Sequence, residues 1–488
     1  MINLTEDDLV QLKVLGLSET LIAKQVKQIA SGTIPVILKE AATLDHGILE
    51  LRNEQKEYYS EYFEHGIGKI SVCHFIPASG AASRMFKSFF QFLENGMVNE
   101  EIELFAKKFR KFSFYDDIKC VDESDYTCAI NKMINETKLP DLPKALMPFH
   151  SYKDGLRTAL EEHIVESTLI QGSGMLINIH FTVSEKHQTK INDLLHKNLG
   201  HLESKLSGKI NVSFSTQHES TDTISLDAKD QIARDTEGCI LLRPGGHGSL
   251  LANLQDLDYE LVFIKNIDNI LPDHFKHTSV FYKKVLGGYL MFLQREIESL
   301  LTRADNNDFD LVEMENFTGN KLQIMYPSSY NSWSREFKVK YLIKKLDRPI
   351  RVCGMVKNEG EPGGGPFWVA NSSGELSLQI VESSQIDLKD QGQLKLSQMA
   401  THFNPVDIVC WLKDYRSKKF SLSNFSEPDT AFVSIKTVNG KEIKILEHPG
   451  LWNGAMADWI TVYVEVPLST FSPVKTITDL LNPQHQPE

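Results

Sequence analysis

Apolar residues near the start of the chain recur at the spacing of amphipathic helices. Thr5 can cap a first helical segment that Gly16 would end, and Ser18 can cap a second segment whose apolar residues follow a 3.6-residue period. The pattern therefore predicts that residues 1–68 form a helical N-terminal extension.

Beyond residue 68, short apolar runs alternate with segments of helical period. "KISVCHFIPASGAASRMFKSFFQFLENG" combines a strand, a tight loop and a helix, and "GMLINIHFTVSEKHQTKINDLLHKNL" repeats a strand followed by a helix. This alternation predicts a mixed, mostly parallel sheet with helices on both faces, which binds ligands where loops leave the carboxyl ends of the strands. We therefore expect a Rossmann-like α/β core over residues 69–415, in which the charged residues 97–140 are helical.

The pattern changes again from about residue 350, where short strands are separated by glycine turns. The segment "FVSIKTVNGKEIKIL" carries in Asn439 and Gly440 the signal of a tight hairpin, and "WITVYVEVP" is typical of a strand. Residues 416–488 are therefore predicted to form a β-rich C-terminal region.

Composition narrows the class of protein. The 488 residues are 41% hydrophobic and 24% charged, as in globular proteins with several domains. A formal net charge of −13 disfavours nucleic acid or an anionic membrane as the main partner. The acidic N-terminus and the lack of a long apolar run favour the cytoplasm. The six cysteines form no CxxC pair, so we expect reduced, structural thiols.

Four short motifs carry residues suited to binding phosphate and a metal ion. "PASGAASRM" brings small side chains and Arg84 to the start of a helix, where free backbone N–H groups bind anions. Lys144 lies between prolines in "LPKALMP", and "RPGGHG" lets a flat ligand approach the backbone. Asp268, in "IKNIDN", follows an apolar strand and can coordinate Mg²⁺.

Each motif also has a purely structural interpretation. Small residues commonly begin a helix, a lysine between prolines is commonly a solvated surface residue, and glycine clusters commonly form turns. A single aspartate after a strand commonly caps a helix or starts a turn. Taken alone, none of the four motifs distinguishes a binding site from ordinary loop chemistry.

In order along the chain, these motifs resemble those of the UTP-dependent sugar-1-phosphate uridylyltransferases, the UDP-glucose and UDP-N-acetylhexosamine pyrophosphorylases. "PASGAASRM" is similar to their "L-A-G-G-x-G-T-R-M", "LPKALMP" to "PK-P-L-x-P", and "RPGGHGSLLANL" with "VFIKNIDNI" to "P-P-G-H-G-D-x-Y-x-x-L" and "V-F-V-x-N-x-D-N-L". "VESSQID", "FNPVDIV" and "VPLSTFSPVKTITDLL" continue the resemblance to residue 481. "PASGAASRMFK" and "RPGGHGSLL" also resemble the signatures of the bacterial domain-of-unknown-function family numbered 4301.

The resemblance implies a glycosyltransferase-A-type nucleotidyltransferase core that joins a nucleoside triphosphate, UTP, to a sugar 1-phosphate with Mg²⁺ as cofactor. It implies three cations that bind phosphate, namely Arg84, Lys144 and Lys475, and one metal ligand, Asp268. The implied nucleotide-binding residues are Ser79, Gly80, Ala81, Ala82, Ser83, Gln217, Gly245, Gly246 and His247. The implied sugar-binding residues are Glu382, Asn404 and Asp407.

Arg84 and Lys144 lie about 60 residues apart, farther than in this family, which implies that residues 97–140 are a helical insertion. The chain also departs from the family at two of the positions named above. Ala82 replaces the second glycine of the loop, so its methyl group can restrict the backbone, and Asp407 stands where the family has an asparagine. These departures leave two alternatives open: an inactive sugar-nucleotide-binding or regulatory protein, and a glycosyltransferase with an NDP-sugar donor. The latter usually needs a DxD-type metal pair, and "ADNNDFD" at 304–310 has that spacing, although its polarity suggests a solvated loop.

Other classes of enzyme lack their motifs. The chain has no GxSxG for a serine hydrolase, and the opening loop is neither GxGxxG nor GxxxxGK[ST]. Dinucleotide-dependent redox chemistry and P-loop hydrolysis are therefore disfavoured. The identity of the sugar and the oligomeric state are left open.

Overall fold

The computed structural model describes residues 4–361, 363–371, 374–438 and 441–487. The helices are α1 Glu6–Val14, α2 Glu19–Ser31, α3 Asn53–Gly66, α4 Lys87–Asn95, α5 Glu100–Lys108, α6 Tyr115–Ile118, α7 Tyr126–Asn131, α8 Ala159–Gln171, α9 Glu185–Leu206, α10 Leu250–Asp256, α11 Lys276–Asp305, α12 Leu311–Asn320, α13 Arg335–Leu346 and α14 Gln391–Gln398. The strands are β1 Leu38–Ala41, β2 Thr43–Leu44, β3 Gly47–Leu49, β4 Val72–Pro77, β5 Pro148–Tyr152, β6 Gly155–Thr158, β7 Leu176–Thr182, β8 Lys209–Ser215, β9 Thr223–Asp227, β10 Leu242–Arg243, β11 Leu261–Ile264, β12 Ile350–Met355, β13 Gly364–Ala370, β14 Leu376–Glu382, β15 Asp407–Trp411, β16 Phe432–Val438, β17 Lys441–Glu447 and β18 Ile460–Glu465.

The first two helices begin where the sequence predicts. Thr5 caps α1 in a reciprocal capping box with Asp8, and Ser18 caps α2 through the N–H of Leu21. Between α2 and α3, however, the chain forms the three short strands β1 to β3, which the helical pattern does not predict. They are too short to show a period of their own, and they form because β1 pairs with β13 and β3 pairs with β18.

A nine-stranded sheet forms the centre of the fold. Its strand order is β2-β3-β18-β12-β15-β11-β4-β7-β8, and every neighbouring pair is parallel except the two that involve β15. All four residues of β11 are buried, as expected for a central strand covered on both faces. The predicted α/β class with a mixed, mostly parallel sheet is therefore confirmed.

Three smaller sheets complete the β structure of the described residues. One has the order β1-β13-β14, a second has the order β10-β9-β17-β16, and β5 pairs with β6. β16 and β17 form the antiparallel pair that the hairpin signal predicts, and Asn439 and Gly440 themselves lie outside the described residues. The division of the chain at residues 68 and 415 stays a prediction.

Two cysteines are not the reduced thiols that we expect from the sequence. Cys120 and Cys128 form a disulfide, so the prediction is wrong for this pair. They flank the turn between α6 and α7 in the helical insertion, where their Cα atoms lie 6.3 Å apart, a separation that a disulfide spans. Cys73, Cys353 and Cys410 are free thiols buried on the strands of the central sheet, as expected.

A cluster of buried charges joins α8 and α11 beside the central sheet. On α8, Glu162 pairs with Lys276 of α11, and Glu166 accepts hydrogen bonds of 3.0 Å from Lys283 of α11 and from Lys265, which follows β11. The side chains of Glu166, Lys265 and Lys283 are each at most 7% exposed. We refer to these five residues and Asp407, which lies 3.3 Å from the Lys283 ammonium, as the α8–α11 charge cluster.

Electrostatics keep Glu166 ionised inside the protein. Burial alone would raise its pKa, but the ammonium groups of Lys265 and Lys283 hold the pKa well below its usual range. Burial lowers the pKa of the neighbouring His74 and His163 to about 3, so both imidazoles are neutral at physiological pH. The cluster is therefore held together by lysine–carboxylate pairs, whose charges compensate each other.

Glu166→Gln should destabilise the fold strongly. The substitution leaves Lys265 and Lys283 with Asp407 as their remaining carboxylate in the cluster, and removal of one partner of a buried ion pair costs about 3–5 kcal/mol. Urea unfolding of both proteins would measure the loss. Glu57→Gln removes the same charge from an exposed position on α3 and should change stability by less than about 0.5 kcal/mol. Equal stability of the two variants would contradict this account.

Candidate functional site

The loop after β4 is pinned to the segment that carries Lys144. We call residues 78–84 the small-residue loop. The N–H of Ala82 donates to the carbonyl of Leu142 (3.1 Å), and the N–H of Lys144 donates to the carbonyl of Gly80 (3.2 Å). Two motifs that lie far apart in the sequence are therefore neighbours at the carboxyl end of β4.

The small-residue loop presents unused hydrogen-bond donors. Ser79, Gly80 and Ala81 are exposed, and within the described parts of the chain their backbone N–H groups donate to no protein atom. The Arg84 side chain is exposed and forms no ion pair with any described residue. These groups are the donors that an anionic ligand needs. The chain then makes a 3-10 turn, Ala82–Phe86, before α4 begins at Lys87.

Ala82 does not narrow this loop. The residue is fully buried and its methyl group packs into the hydrophobic core with Ile76 and Met85. Gly80, in contrast, is exposed, and a side chain built there would meet no atom within 4 Å. The replacement of the family glycine by Ala82 therefore leaves the exposed side of the loop open.

Two lysines converge on Asp268 at the carboxyl end of β11. Asp268 Oδ2 accepts hydrogen bonds from Lys144 Nζ (2.9 Å) and from Lys475 Nζ (3.1 Å). Lys475 reaches this position because the chain at 472–475 lies along residues 268–269, where the N–H of Val474 donates to the carbonyl of Asp268 (2.9 Å). The structure thus brings three of the predicted site residues together: Lys144, Asp268 and Lys475.

Asp268 fits the role of a single carboxylate ligand of Mg²⁺. Burial would raise its pKa, but Lys475 and Lys144 more than offset this effect and lower it, so the group is ionised. Its Oδ1 atom is buried and has no hydrogen-bond partner among the described residues. No group of three His, Cys, Asp or Glu side chains gathers as a metal site in the same residues. Mg²⁺ commonly binds one or two carboxylates and completes its shell with phosphates and water, so the unpartnered Oδ1 of Asp268 is the atom that could hold it.

We call residues 244–248 the glycine loop. Its glycines at 245, 246 and 248 allow close approach to another part of the chain. A Cβ atom at Gly245 would lie 2.3 Å from Cδ2 of His448, and one at Gly248 would lie 2.1 Å from the carbonyl oxygen of Pro449. Gly246 has a φ of 76°, which other residues rarely adopt. The glycine loop therefore packs on residues 447–450, and this contact already explains why glycines stand here.

His247 has a defined place in this contact. Its Nδ1 accepts the N–H of Leu451 (3.1 Å), and its ring stacks on Trp452 with 4.6 Å between centroids. Burial lowers the pKa of His247, so the ring is neutral. With Nδ1 as the acceptor, the proton of the neutral ring lies on Nε2.

Gln217 follows β8 at the same edge of the sheet. Its Nε2 atom is buried and makes no hydrogen bond to any described residue. Asn253 on α10, the helix after the glycine loop, donates to the carbonyl of Thr216 (2.7 Å) and so ties that helix to the residue before Gln217. The structure thus connects the two predicted base-reading elements, and it leaves the Gln217 amide free to donate.

Two of the three predicted sugar-binding residues contact each other. Asn404 Nδ2 donates to Glu382 Oε1 at 3.0 Å. Asp407 instead lies in the α8–α11 charge cluster, 97% buried, with Lys283 as its nearest cation. Burial raises the pKa of Asp407, and the two lysines oppose that rise. Its contact with a sugar stays a prediction.

The acidic run at 304–310 lies away from these groups. Asp305 pairs with Arg416, and Asp310 caps α12. Most of the run is exposed, as its polarity indicates. These contacts explain the acidic residues without a metal pair.

Glu166, Lys265 and Lys283 are not among the residues predicted from the sequence. A signal for Glu166 was present, because α8 places it in "ALEEHIVESTLIQ", a helix that is buried on nearly all its faces. A charged residue at such a position needs a buried partner. The sequence does not reveal that partner, because Lys265 and Lys283 belong to distant elements. Trp452, which stacks on His247, was missed for the same reason.

The mostly parallel sheet, with cations and free N–H groups at its carboxyl edge, defines an α/β protein whose candidate site lies where open α/β sheets bind ligands. The chain belongs to the family described as Domain of unknown function (DUF4301), whose model matches residues 5–486. No curated protein matches it in a direct comparison. Among the described residues, no helix has both the length and the apolar character needed to cross a bilayer.

Solved structures similar to this chain include two pyrophosphorylases. A mutant UDP-glucose pyrophosphorylase from Leishmania major in complex with UDP-glucose is 13% identical, with 98% of this chain and 79% of that chain covered and a TM-score of 0.46. The UDP-N-acetylglucosamine pyrophosphorylase from Trypanosoma brucei in complex with an inhibitor is 14% identical, with the same coverage and a TM-score of 0.47.

Alanine substitutions should separate the two glycine motifs. Gly245→Ala forces a Cβ atom against His448 and should destabilise the protein by about 1–3 kcal/mol without any ligand. Gly80→Ala has open space and a negative φ, so it should leave the stability of the free protein unchanged within about 0.5 kcal/mol. Thermal and urea unfolding of both variants measure these effects, and a destabilised Gly80 variant would show that the loop packs more tightly than described.

Proposed function

We propose that this protein is a nucleotidyltransferase that joins a nucleoside triphosphate, UTP, to a sugar 1-phosphate and releases pyrophosphate. The observation that carries the proposal is the meeting of Lys144 and Lys475 on Asp268, beside a loop with free N–H groups. Two cations, a carboxylate with an unpartnered oxygen and a set of backbone donors suit a substrate with several phosphates. The ordered motifs that resemble the uridylyltransferases support the same assignment.

The proposed reaction needs two anions to meet in line. An oxygen of the sugar 1-phosphate attacks the α-phosphorus of the triphosphate, and the bond from that phosphorus to its bridging oxygen breaks. Pyrophosphate leaves with the bonding electron pair. Because the attacking phosphate is already ionised, no general base is required, and catalysis consists of alignment and charge neutralisation.

The residues of the site divide this work. The N–H groups of Ser79 to Ala81 and the Arg84 guanidinium would bind the triphosphate, because they are exposed donors without protein partners. Lys144 and Lys475 would move from Asp268 onto phosphate oxygens as the substrates enter. Lys475 is the more mobile candidate, since its side chain is 61% exposed against 15% for Lys144.

Separate residues would bind the metal ion and the base of the nucleotide. Asp268 Oδ1 would hold Mg²⁺, which when bound neutralises charge on the phosphate oxygens. The Gln217 amide would donate to the edge of the base, with Gly245 and Gly246 supplying backbone groups. A donor amide left unpaired in a buried position costs free energy, and a bound base would relieve that cost.

Asp268→Asn should abolish Mg²⁺-dependent release of pyrophosphate from UTP and a sugar 1-phosphate. We expect a loss of at least about 100-fold, because the metal ligand is removed at the reacting phosphates. The matched control is Asp258→Asn, which removes an exposed carboxylate paired with Lys413 and should keep the wild-type rate. Wild-type turnover by the Asp268 variant would remove this residue from the metal role. Nucleotide binding by a wild-type protein that releases no pyrophosphate would favour a binding or regulatory protein.

Gln217→Ala should reduce the preference for uracil. In the wild-type protein, Mg-UTP at 100 times its dissociation constant should stabilise the native state by about 2.7 kcal/mol in thermal unfolding, and Mg-ATP should stabilise it less. The variant should lose most of this difference, because the amide that donates to the base edge is gone. Equal losses for UTP and ATP would show that Gln217 does not read the base.

A further inference from the structure

The C-terminal segment that carries Lys475 is closed by a histidine. His485 is 3% exposed, and its Nε2 atom lies 2.9 Å from Oγ of Ser472, at the start of the segment. Between these two residues the chain makes two 3-10 turns, Ile477–Leu481 and Pro483–His485. The contact therefore ties the end of the segment to its beginning, three residues before Lys475.

A second histidine anchors this contact inside the protein. His150 of β5 is 2% exposed, and its Nε2 atom lies 3.0 Å from Nδ1 of His485. Its other ring nitrogen, Nδ1, lies 2.9 Å from Oε1 of Glu162, a fully buried residue of α8. Side chains from three separate segments thus form one continuous, buried row of hydrogen bonds. We call Glu162, His150, His485 and Ser472 the histidine chain.

The charges set the direction of each hydrogen bond in the histidine chain. Burial would raise the pKa of Glu162, but Lys276 and His150 more than offset this effect, so the carboxylate is ionised. Burial lowers the pKa of His150 and lowers that of His485 to about 3, so both rings are neutral at physiological pH. Because a carboxylate only accepts, His150 donates from Nδ1 and accepts the Nδ1–H of His485 at Nε2. His485 Nε2 then accepts the hydroxyl proton of Ser472.

The histidine chain sets the position of the backbone next to the site. The Ser472 N–H donates to Asn269 Oδ1 at 3.0 Å, and the two residues after Ser472 pair with residues 268–269. Lys475 follows directly, and its ammonium reaches Asp268. The Lys475 side chain is 61% exposed, so its position depends mainly on where its backbone is held.

Helix α8 therefore anchors both partners of the ion pair between Lys475 and Asp268. His163 of α8 donates to the carbonyl of Ile267, the residue before Asp268, at 3.1 Å. Glu162, the residue before His163, anchors the segment of Lys475 through the two histidines. Two adjacent residues of one helix thus support the two sides of the site from behind. Support of this kind keeps a binding group in place before its ligand arrives.

We propose that His485 is a positioning residue, which acts through Ser472 to hold the backbone of Lys475 so that its ammonium meets the phosphates of the substrate. His150 and Glu162 complete this support. A lysine whose backbone is already fixed loses less conformational freedom when the ligand binds, and this favours affinity. The inference rests on the proposed function for the identity of the ligand. Neither histidine lies in the motifs that resemble the uridylyltransferases.

His485→Ala tests this role with inorganic pyrophosphate, in the presence of Mg²⁺, as the probe. Calorimetry should show about fivefold weaker binding, because the Lys475 segment must then be ordered when the ligand binds. Lys475→Ala should weaken binding at least about tenfold, because it removes a charge-assisted hydrogen bond. In the double variant, His485→Ala should cause no further loss, because it acts only through the missing ammonium. A general loosening of the fold would not show this dependence on Lys475.

Gln486→Ala is the matched control in the same segment. It removes the hydrogen bond from Gln486 Nε2 to the carbonyl of Leu480 (2.6 Å), which takes no part in the histidine chain, and it should leave the affinity for pyrophosphate unchanged. Thermal unfolding establishes that each variant is folded before binding is compared.

Ser472→Ala is a milder second variant, which decides the question if His485→Ala does not fold. It removes the hydroxyl that donates to His485 and keeps the backbone N–H that pairs with Asn269. It should weaken pyrophosphate binding about threefold, again only while Lys475 is present. Wild-type affinity in both His485→Ala and Ser472→Ala would overturn the inference, and so would a loss that persists in full after Lys475 is replaced.

The outcomes also separate this inference from the proposed function. A wild-type protein that binds pyrophosphate, with the expected coupling between His485 and Lys475, but releases none from UTP and a sugar 1-phosphate would support the positioning role and overturn the reaction. Turnover by the wild-type protein together with normal pyrophosphate binding by His485→Ala would overturn the positioning role and leave the reaction intact. A wild-type protein that binds no pyrophosphate would overturn the positioning role.

Discussion

The geometry of the site depends on the ion pairs that the buried carboxylate of Glu166 forms with two lysines. The carboxylate binds Lys265 and Lys283, and Lys265 is the first residue after the central strand β11. One turn earlier on α8, the neutral His163 donates to the carbonyl of Ile267 at 3.1 Å. The path of the chain from β11 to Asp268 is therefore set by two side chains of α8. An unpaired charge inside the protein would destabilise the fold. Because Glu166 is paired, it instead anchors the segment that follows β11.

Charge balance also explains why Asp268 is ionised. Lys144 and Lys475 have a common partner in Asp268, which remains ionised because both ammonium groups lie beside it. The protein thus keeps two cations close together, and the carboxylate between them offsets their mutual repulsion. The free backbone N–H groups of the small-residue loop add further positive partial charge near these lysines. Under the proposed function, this arrangement would accept phosphate groups without a large rearrangement of the main chain.

Local signals in the sequence predicted the elements well, and long-range packing decided the rest. The caps at Thr5 and Ser18, the strand–loop–helix at 72–95 and the parallel sheet follow from patterns a few residues long. The approach of Lys144 and Lys475 to Asp268 was accessible only through the resemblance to a family, because three separate segments supply these residues. Asp407 is a further case of long-range packing. Its motif predicts a sugar contact, which stays a prediction, and no local pattern reveals that Lys265 and Lys283 lie beside it.

The position of β18 in the sheet has a consequence for how the protein is made. β3, from the beginning of the chain, pairs with β18, from near its end, and β18 also covers one edge of β12. While the chain emerges from the ribosome, the backbone N–H and C=O groups on one edge of β12 stay unpaired until β18 has been synthesised. Long-range parallel pairing of this kind is slow, and an open strand edge invites association with other chains. Completion of the central sheet therefore waits for β18, the last strand among the described residues.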